Sequence, residues 1–449
     1  MRPRFLMKCV LLCALAQCTT SAAPVDEPPP THVDQEKVNA LSWDLETFLN
    51  YHRSQGVFYS MTVGVVRGKD LVYSRYIGSY PSRTYSVGSI SKIFTATAVE
   101  RLAEKGILKL DEPIGEVFPG LHIERSEYKS PRITLRHLLS HSSGMPDLRY
   151  YNPPEMIHHP EIDFPIAPQT APAGIQFRYS NMGFQILGEA IKKKTGKTIN
   201  QVIQSEVYDA AGMTESTMLD GSTGAYGVMT NVTDMARFAS LYLSRGTATN
   251  GQRVLKEKSV LSMLENQIYS PPAEFKDYNG IGWRVRMDRQ GVVQFYHIGG
   301  ATGVAAWLQI FPRDNVALFY LGDPPKYEEN TMGVLSGIMG KLGFLATAFA
   351  GKTEPIFPFK QSTSDESELS HFAGVYRDPV SGQLASVSVN GSTVMVQKGS
   401  GPAYPTVPEC RAIFNGGYGF VQHSFILDPK NESVVGVATN DSYFEKLSR

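Results

Sequence analysis

The chain has 449 residues, 42% of them hydrophobic and 19% charged, with 43 Lys and Arg against 43 Asp and Glu. That composition suits a globular protein of two or three domains, or one large domain with an appendage. Balanced charge excludes the basic surface that nucleic-acid binding demands, so nucleic acid is not an expected partner.

Residues 1–23 have the pattern of an export signal. Arg2, Arg4 and Lys8 precede a short apolar run, Cys9 to Ala16, and small residues follow at Thr19 to Ala23. The run is too short to span a bilayer. Cleavage is expected near Ala22 or Ala23, giving a periplasmic or secreted protein. Leu15-Ala16-Gln17-Cys18 also has the outline of a lipoprotein signal, with Gln17 where a small residue is usual. Simple secretion ranks above lipidation, and membrane attachment is expected only if Cys18 is lipidated. Three of the four cysteines lie in this leader, which leaves Cys410 alone and the mature chain without an internal disulfide. Its stability must come from its core.

Pro24 to Pro30 is proline-rich and acidic and reads as a flexible tether over 24–34. Leu41, Leu45, Phe48 and Leu49 recur at helical spacing and predict a helix over Val38 to His52. Strands are predicted at Tyr59 to Val66 and Leu71 to Ile77, joined by a turn at Arg67-Gly68-Lys69-Asp70. A helix-forming segment, Ile93 to Lys105, follows. Residues from about Ile133 to Asn250 read as mostly helical, with loops rich in proline, tyrosine and asparagine. Strand character returns at Gly282 to Met287, Val292 to His297, Val304 to Phe311 and Val316 to Leu321, and Glu328 to Ala348 reads as a closing helix. Gly333, Gly337 and Gly340 would let that helix lie close on the sheet. Two strands early, four late and a helical insertion between them predict one antiparallel sheet built from both ends of a domain and flanked by terminal helices. Gly351 to Glu368 reads as a linker. Short strand patterns at Ala385 to Val389, Thr393 to Gln397, Gly419 to Leu427 and Val434 to Ala438, with a hairpin signal at Asn390-Gly391, predict a small β-barrel or sandwich at the end.

Three stretches carry chemistry. In Gly88-Ser89-Ile90-Ser91-Lys92, Ser89 and Lys92 stand three residues apart, on one face of a helix. A serine is a poor nucleophile without a base in hydrogen-bond reach, and a lysine serves as base only where burial favours its neutral form. The apolar neighbours Ile90, Ile93, Phe94 and Ala96 suit such a burial. Tyr179-Ser180-Asn181 offers a phenol to shuttle a proton and an amide to position a substrate carbonyl. His297-Ile298-Gly299-Gly300 sits at a strand end, where consecutive glycines admit a ligand backbone. The Gly300 N–H is placed to pair with the Ser89 N–H as an oxyanion hole. His137 and His141, four apart on a predicted helix, are read as packing residues, and His158-His159 as loop.

In this order these stretches resemble the serine β-lactamase and penicillin-binding-protein superfamily. The likeness is to the branch of class C β-lactamases, D-Ala-D-Ala carboxypeptidases, D-aminopeptidases and related esterases. It covers about Val38 to Phe349, and Ile133 to Gly144, Pro172-Ala173-Gly174 and Gly227 to Leu241 with Asp234 support it. His297 stands where β-lactamases carry a lysine, which removes a permanent positive charge from the substrate pocket. The resemblance implies an α/β (α+β) fold, an antiparallel sheet flanked by helices with an all-helical subdomain, plus the small β-domain. The expected division is 1–23 signal, 24–34 tether, 35–350 hydrolase domain, 351–368 linker and 369–449 β-domain.

The expected activity is that of an exported serine hydrolase working through an acyl-enzyme on an amide, peptide or ester, whether a D-amino-acid peptide, an ester or a β-lactam. Ser89 attacks, Lys92 and Tyr179 relay its proton, and the Ser89 and Gly300 N–H groups hold the oxyanion. Asn181, His297 and Gly299 position a small-molecule or peptide substrate, cell-wall peptide among them, with no cofactor or metal. The rival is a penicillin- or peptidoglycan-binding protein of the same fold with little or no turnover. Oligomeric state is not legible.

Overall fold

The computed structural model describes residues 33–124, 132–148, 156–174, 177–265, 268–269, 277–288, 291–326, 329–351, 370–379, 381–390, 393–401, 403–410, 413–416, 422–427, 434–439 and 443–447. The expected signal and the tether up to residue 32 lie outside them, as does the expected linker after Gly351.

The first helix, α1 (Gln35–Ser54), starts at Asp34, whose carboxylate accepts the Lys37 N–H at 3.0 Å, and ends with His52 and Arg53 in its last turn. Strands β1 (Met61–Arg67) and β2 (Asp70–Ile77) form the expected hairpin. Six further strands complete the sheet: β3 (Ile268–Tyr269), β4 (Asp277–Asn279), β5 (Arg284–Asp288), β6 (Gly291–Ala301), β7 (Val304–Phe311) and β8 (Val316–Gly322), in the order β2-β1-β8-β7-β6-β5-β4-β3. All their pairings are antiparallel, and β1 joins β8 in register from Met61↔Gly322 to Arg67↔Val316. The two ends of the domain therefore share one sheet, as the strand layout predicts. β3 and β4 were not foreseen.

β8 is buried at every position, because it is central and covered on both faces. Val316, Leu318 and Tyr320 pack with Leu45 and Leu49 of α1 and with Leu335, Ile338 and Leu342 of the closing helix (Glu329–Ala346). Ala317, Phe319 and Leu321 face the opposite core, with Phe94, Phe184 and Phe238. Gly64 of β1 has a reason to lack a side chain: a Cβ there would lie 2.4 Å from the Phe319 ring. The closing-helix glycines behave differently from expectation. Of the three, only Gly337 is closely approached: a Cβ there would lie 3.0 Å from the Phe48 ring of α1, whereas one at Gly333 or Gly340 would face open space.

The insertion between the sheet's halves is not all-helical. It carries α3 (Leu135–Leu139), α4 (Asn181–Thr195) and α5 (Val232–Leu243), but also the hairpin Ile157–His159 with Ile162–Ile166. His159 belongs to that hairpin rather than to a loop, and its ring lies 3.2 Å from the Pro119 carbonyl. Helix α2 (Ser91–Glu104) runs through the core of this part, with Ser91 to Glu100 all buried. Phe94 stacks on Phe238 at 3.9 Å and meets Tyr208 edge-on. The C-terminal strands, from Gly374–Arg377 to Tyr443–Lys446, form a closed eight-stranded barrel whose first and last strands pair. Asn390 pairs with Thr393 as the expected hairpin requires, and Gly391 lies outside the described residues. A barrel, not a sandwich, is formed.

Glu100 is the exception in α2. It is 4% exposed, and its Oε1 meets no hydrogen-bond donor among the described residues. Burial raises its carboxyl to about 7, with Glu104 adding to the rise and Arg136 opposing it. A raised carboxyl stabilises the fold fully below the unfolded value near 4.5, and that contribution is lost as pH rises through about 7. Glu100→Gln is therefore expected to exceed the wild type by about 1–3 kcal/mol at pH 8. The two proteins should converge near pH 4.5, as read from urea midpoints.

Candidate active site

Gly88–Ile90 forms a single 3-10 turn that leads into α2. Gly88 has φ 51, a left-handed conformation that favours glycine, and a Cβ there would lie 3.3 Å from the Gly300 nitrogen. The turn places Ser89 at the head of the helix and Lys92 in its first turn, with Lys92 Nζ 3.2 Å from Ser89 Oγ. Lys92 is fully buried. Its Nζ also donates to Asn181 Oδ1 and to the Ala225 carbonyl, each at 2.8 Å. The segment bearing Ala225 is sewn along α2: Thr95 Oγ1 donates to the Gly224 carbonyl at 2.7 Å, and Val228 N–H donates to Ser91 Oγ at 3.0 Å.

Ser180 caps α4, its hydroxyl accepting the Gly183 N–H at 3.2 Å. The cap puts Tyr179 just before the helix and Asn181 at its first residue. Tyr179 OH donates to Ser89 Oγ at 2.7 Å, and Lys92 Nζ lies 4.9 Å from the centre of the Tyr179 ring. The structure thus brings Ser89, Lys92, Tyr179 and Asn181 together. Asn181, expected to position substrate, has its carbonyl oxygen engaged by Lys92.

His297 lies inside β6, which continues to Ala301 rather than ending at the histidine. Its Nδ1 is 2.9 Å from the Ile298 carbonyl, and since a carbonyl only accepts, Nδ1 carries the proton. Burial lowers its pKa to about 3, helped by the nearby charges of Lys92 and Arg284, so the imidazole is neutral at physiological pH. Gly299 is packed against the Ser89 turn: a Cβ would fall 1.9 Å from the Val87 carbonyl oxygen and 3.1 Å from the Ser89 nitrogen. β6 and the nucleophile turn thus touch backbone to backbone, with the Ser89 and Gly300 amides at that contact. β5 pairs with β6 only as far as Tyr296, so residues 297–301 run beyond it with that edge unpaired by β5.

Two residues at this site were not foreseen. Arg284 opens β5 opposite Tyr296, its guanidinium 5.4 Å from the centre of the Phe177 ring. Its charge bears on both His141 and His297. Only the strand register, not a local motif, could have marked it. His141, read from sequence as packing, stacks on Tyr179 at 4.4 Å and accepts the Ser180 N–H at 3.1 Å. His137, by contrast, completes a capping box with Thr134. Asp234 is structural too. It accepts the Glu215 N–H and the Ser216 hydroxyl and pairs with Arg237.

A family model described as beta-lactamase matches residues 42–323. Penicillin-binding protein 4 of Amycolatopsis lactamdurans is 25% identical over 269 residues, covering 52% of this chain and 70% of that protein. The D-alanyl-D-alanine-carboxypeptidase/endopeptidase AmpH of Escherichia coli K12 is 22% identical over 309 residues, covering 58% and 78%. The octameric penicillin-binding protein homologue from Pyrococcus abyssi superposes with a TM-score of 0.55 at 19% identity, over 90% of this chain and 100% of that one.

The contact between β6 and the Ser89 turn is testable through Gly299. Gly299→Ala is expected to cost about 1–3 kcal/mol, since rigid backbone must give way. It should also raise amide exchange at residues 87–90. Gly340→Ala, on the exposed face of the closing helix, should be neutral or slightly stabilising.

Proposed function

The chain belongs to the beta-lactamase family, and from that premise we propose that it is an exported serine hydrolase acting through an acyl-enzyme on Ser89. The observation that carries the reading is the Ser89 hydroxyl held between Lys92 Nζ at 3.2 Å and Tyr179 OH at 2.7 Å. In that arrangement both neighbours donate to Oγ. Attack requires one of them to give up its proton and accept the serine's instead, and either is within the distance general-base catalysis needs. Ser89 Oγ then bonds to the substrate carbonyl carbon. The developing oxyanion is taken by the Ser89 and Gly300 N–H groups, which are fixed in place before the reaction. The relayed proton leaves on the departing amine or alcohol, and water, deprotonated by the same pair, releases the acyl group.

The preferred substrate is a peptide ending in a free carboxylate. With His297 neutral, the charges that bear on this part of the site are those of Lys92 and Arg284. Lys92 is engaged by Ser89, Asn181 and the Ala225 carbonyl, and carboxylate binding is assigned to Arg284. Guanidinium recognises carboxylate through paired donors. The edge of β6 beyond Tyr296 suits an extended peptide laid alongside it. A relative is named for D-alanyl-D-alanine carboxypeptidase activity, which supports a peptide ending in D-alanine. Among the described residues no helix is long and apolar enough to cross a membrane, and export rests on the basic-then-apolar leader.

Turnover of a D-Ala-D-Ala-terminated peptide, the same peptide as C-terminal amide, and a simple ester tests the reading. The free acid should be preferred. Arg284→Gln should raise KM for the acid roughly 10- to 100-fold, the worth of a charge-assisted hydrogen bond, and change the amide little. Ser89→Ala should abolish turnover of all three while the protein stays folded. Equal rates for acid and amide, unaffected by Arg284→Gln, would remove the substrate assignment. A fully active Ser89→Ala protein would remove the acyl-enzyme.

A further inference from the structure

We propose that His141 is a positioning residue that sets Tyr179 and Asn181 against Ser89 and Lys92 through one imidazole ring. The inference rests on the acyl-enzyme reading of Ser89 and goes beyond it. Neither the shape of the loop nor a general need for packing accounts for what this residue does.

His141 has φ 55 and is one of three non-glycine residues with a left-handed backbone among those described. That conformation is unfavourable for a residue with a Cβ and is kept where something over-determines it. Here two contacts do so. The His141 carbonyl accepts the Arg178 N–H at 2.7 Å, and ring Nδ1 accepts the Ser180 N–H at 3.1 Å. Backbone and side chain of one residue thus grip the chain on either side of Tyr179. The ring meanwhile stacks on the Tyr179 ring, centroids 4.4 Å apart and planes 28° apart, and packs against Phe184 of α4 at 5.1 Å. Ser180 is the middle of the triplet whose outer members reach Ser89 Oγ and Lys92 Nζ. Fixing its N–H fixes both arms.

The ring's protonation suits this task. Because Nδ1 accepts from Ser180, the proton sits on Nε2, which is buried and finds no acceptor among the described residues. Burial, then the nearby Lys92 and Arg284, hold His141 well below the ordinary imidazole range. An uncharged ring orients the phenol without placing another cation beside Lys92. A protonated ring would also lose the Nδ1 lone pair and with it the Ser180 contact.

The test uses the mature full-length protein and single-turnover acylation by p-nitrophenyl acetate, with the adduct mapped by mass. Saturation gives a binding constant and a limiting rate. His141→Gly keeps the left-handed backbone at no steric cost but deletes the ring. His141→Asn tolerates that backbone and returns an acceptor near the Nδ1 position. For His141→Gly the limiting rate should fall roughly 10- to 100-fold, the size expected when reacting groups drift by about an ångström. Its binding constant should stay within about threefold, marking an effect on the chemical step rather than on binding. His141→Asn should recover a clear part of the lost rate. A wild-type rate in His141→Gly, or an Asn variant no faster than Gly, overturns the inference. So does joint loss of rate, binding and cooperative thermal unfolding, which marks a residue needed only for folding. If the wild type forms no adduct on Ser89, the proposed function falls and this inference with it. An adduct formed normally by both wild type and His141→Gly leaves the function standing and removes His141 alone.

Discussion

A lysine amine with no solvent exposure, Lys92, is the constraint around which this protein is built. An ammonium or amine taken out of water must find oxygens, and leaving it without them would cost more than the net stability of many domains can spare. Its acceptors come from three separate pieces of chain: the Ser89 turn, the first residue of α4, and the Gly224 to Val228 segment. Holding Nζ in place therefore holds those pieces in place. The same contacts that satisfy the buried amine draw Ser89, Tyr179 and Asn181 into one cluster. Aromatic stacking of Phe94 on Phe238 and near-total burial of α2 anchor the helix that carries Lys92.

The electrostatics follow from that arrangement. Lys92 and Arg284 both lie close enough to depress the two site histidines, and burial does the larger share in each. His297 at about 3 is a neutral hydrogen-bonding group, not a stand-in for a lysine's charge. In the proposed reading carboxylate recognition falls to Arg284, which enters from the neighbouring strand rather than from the β6 motif itself. Both site imidazoles are therefore neutral near physiological pH and add no cation beside Ser89.

Sequence carried the parts of this structure that are local. The three-residue spacing of Ser89 and Lys92, the close placement of Tyr179 and Asn181, and the leucine periodicity of α1 each follow from short-range geometry. The antiparallel sheet shared by both ends of the domain followed from the order of strand patterns, and the structure matches it. What stayed hidden depends on contacts through space. β3 and β4 are too short to show periodicity. Arg284 owes its place to the register of a hairpin, and His141 owes its place to a left-handed backbone that no residue pattern marks. Gly337 and Gly340 look alike in the chain, yet only Gly337 meets a ring on another helix. Gly299, expected at the substrate site, also lies where β6 packs on the Val87 carbonyl, a contact that no residue pattern marks.

The central claim is that Ser89 is a nucleophile activated by Lys92 and Tyr179. The most direct measurement is the intact mass of the mature protein over time after mixing with a penicillin or an activated ester, with the modified peptide identified. The account predicts a single adduct of acyl mass on Ser89, its decay reporting deacylation. An adduct on another residue, or no adduct from either reagent, would contradict it.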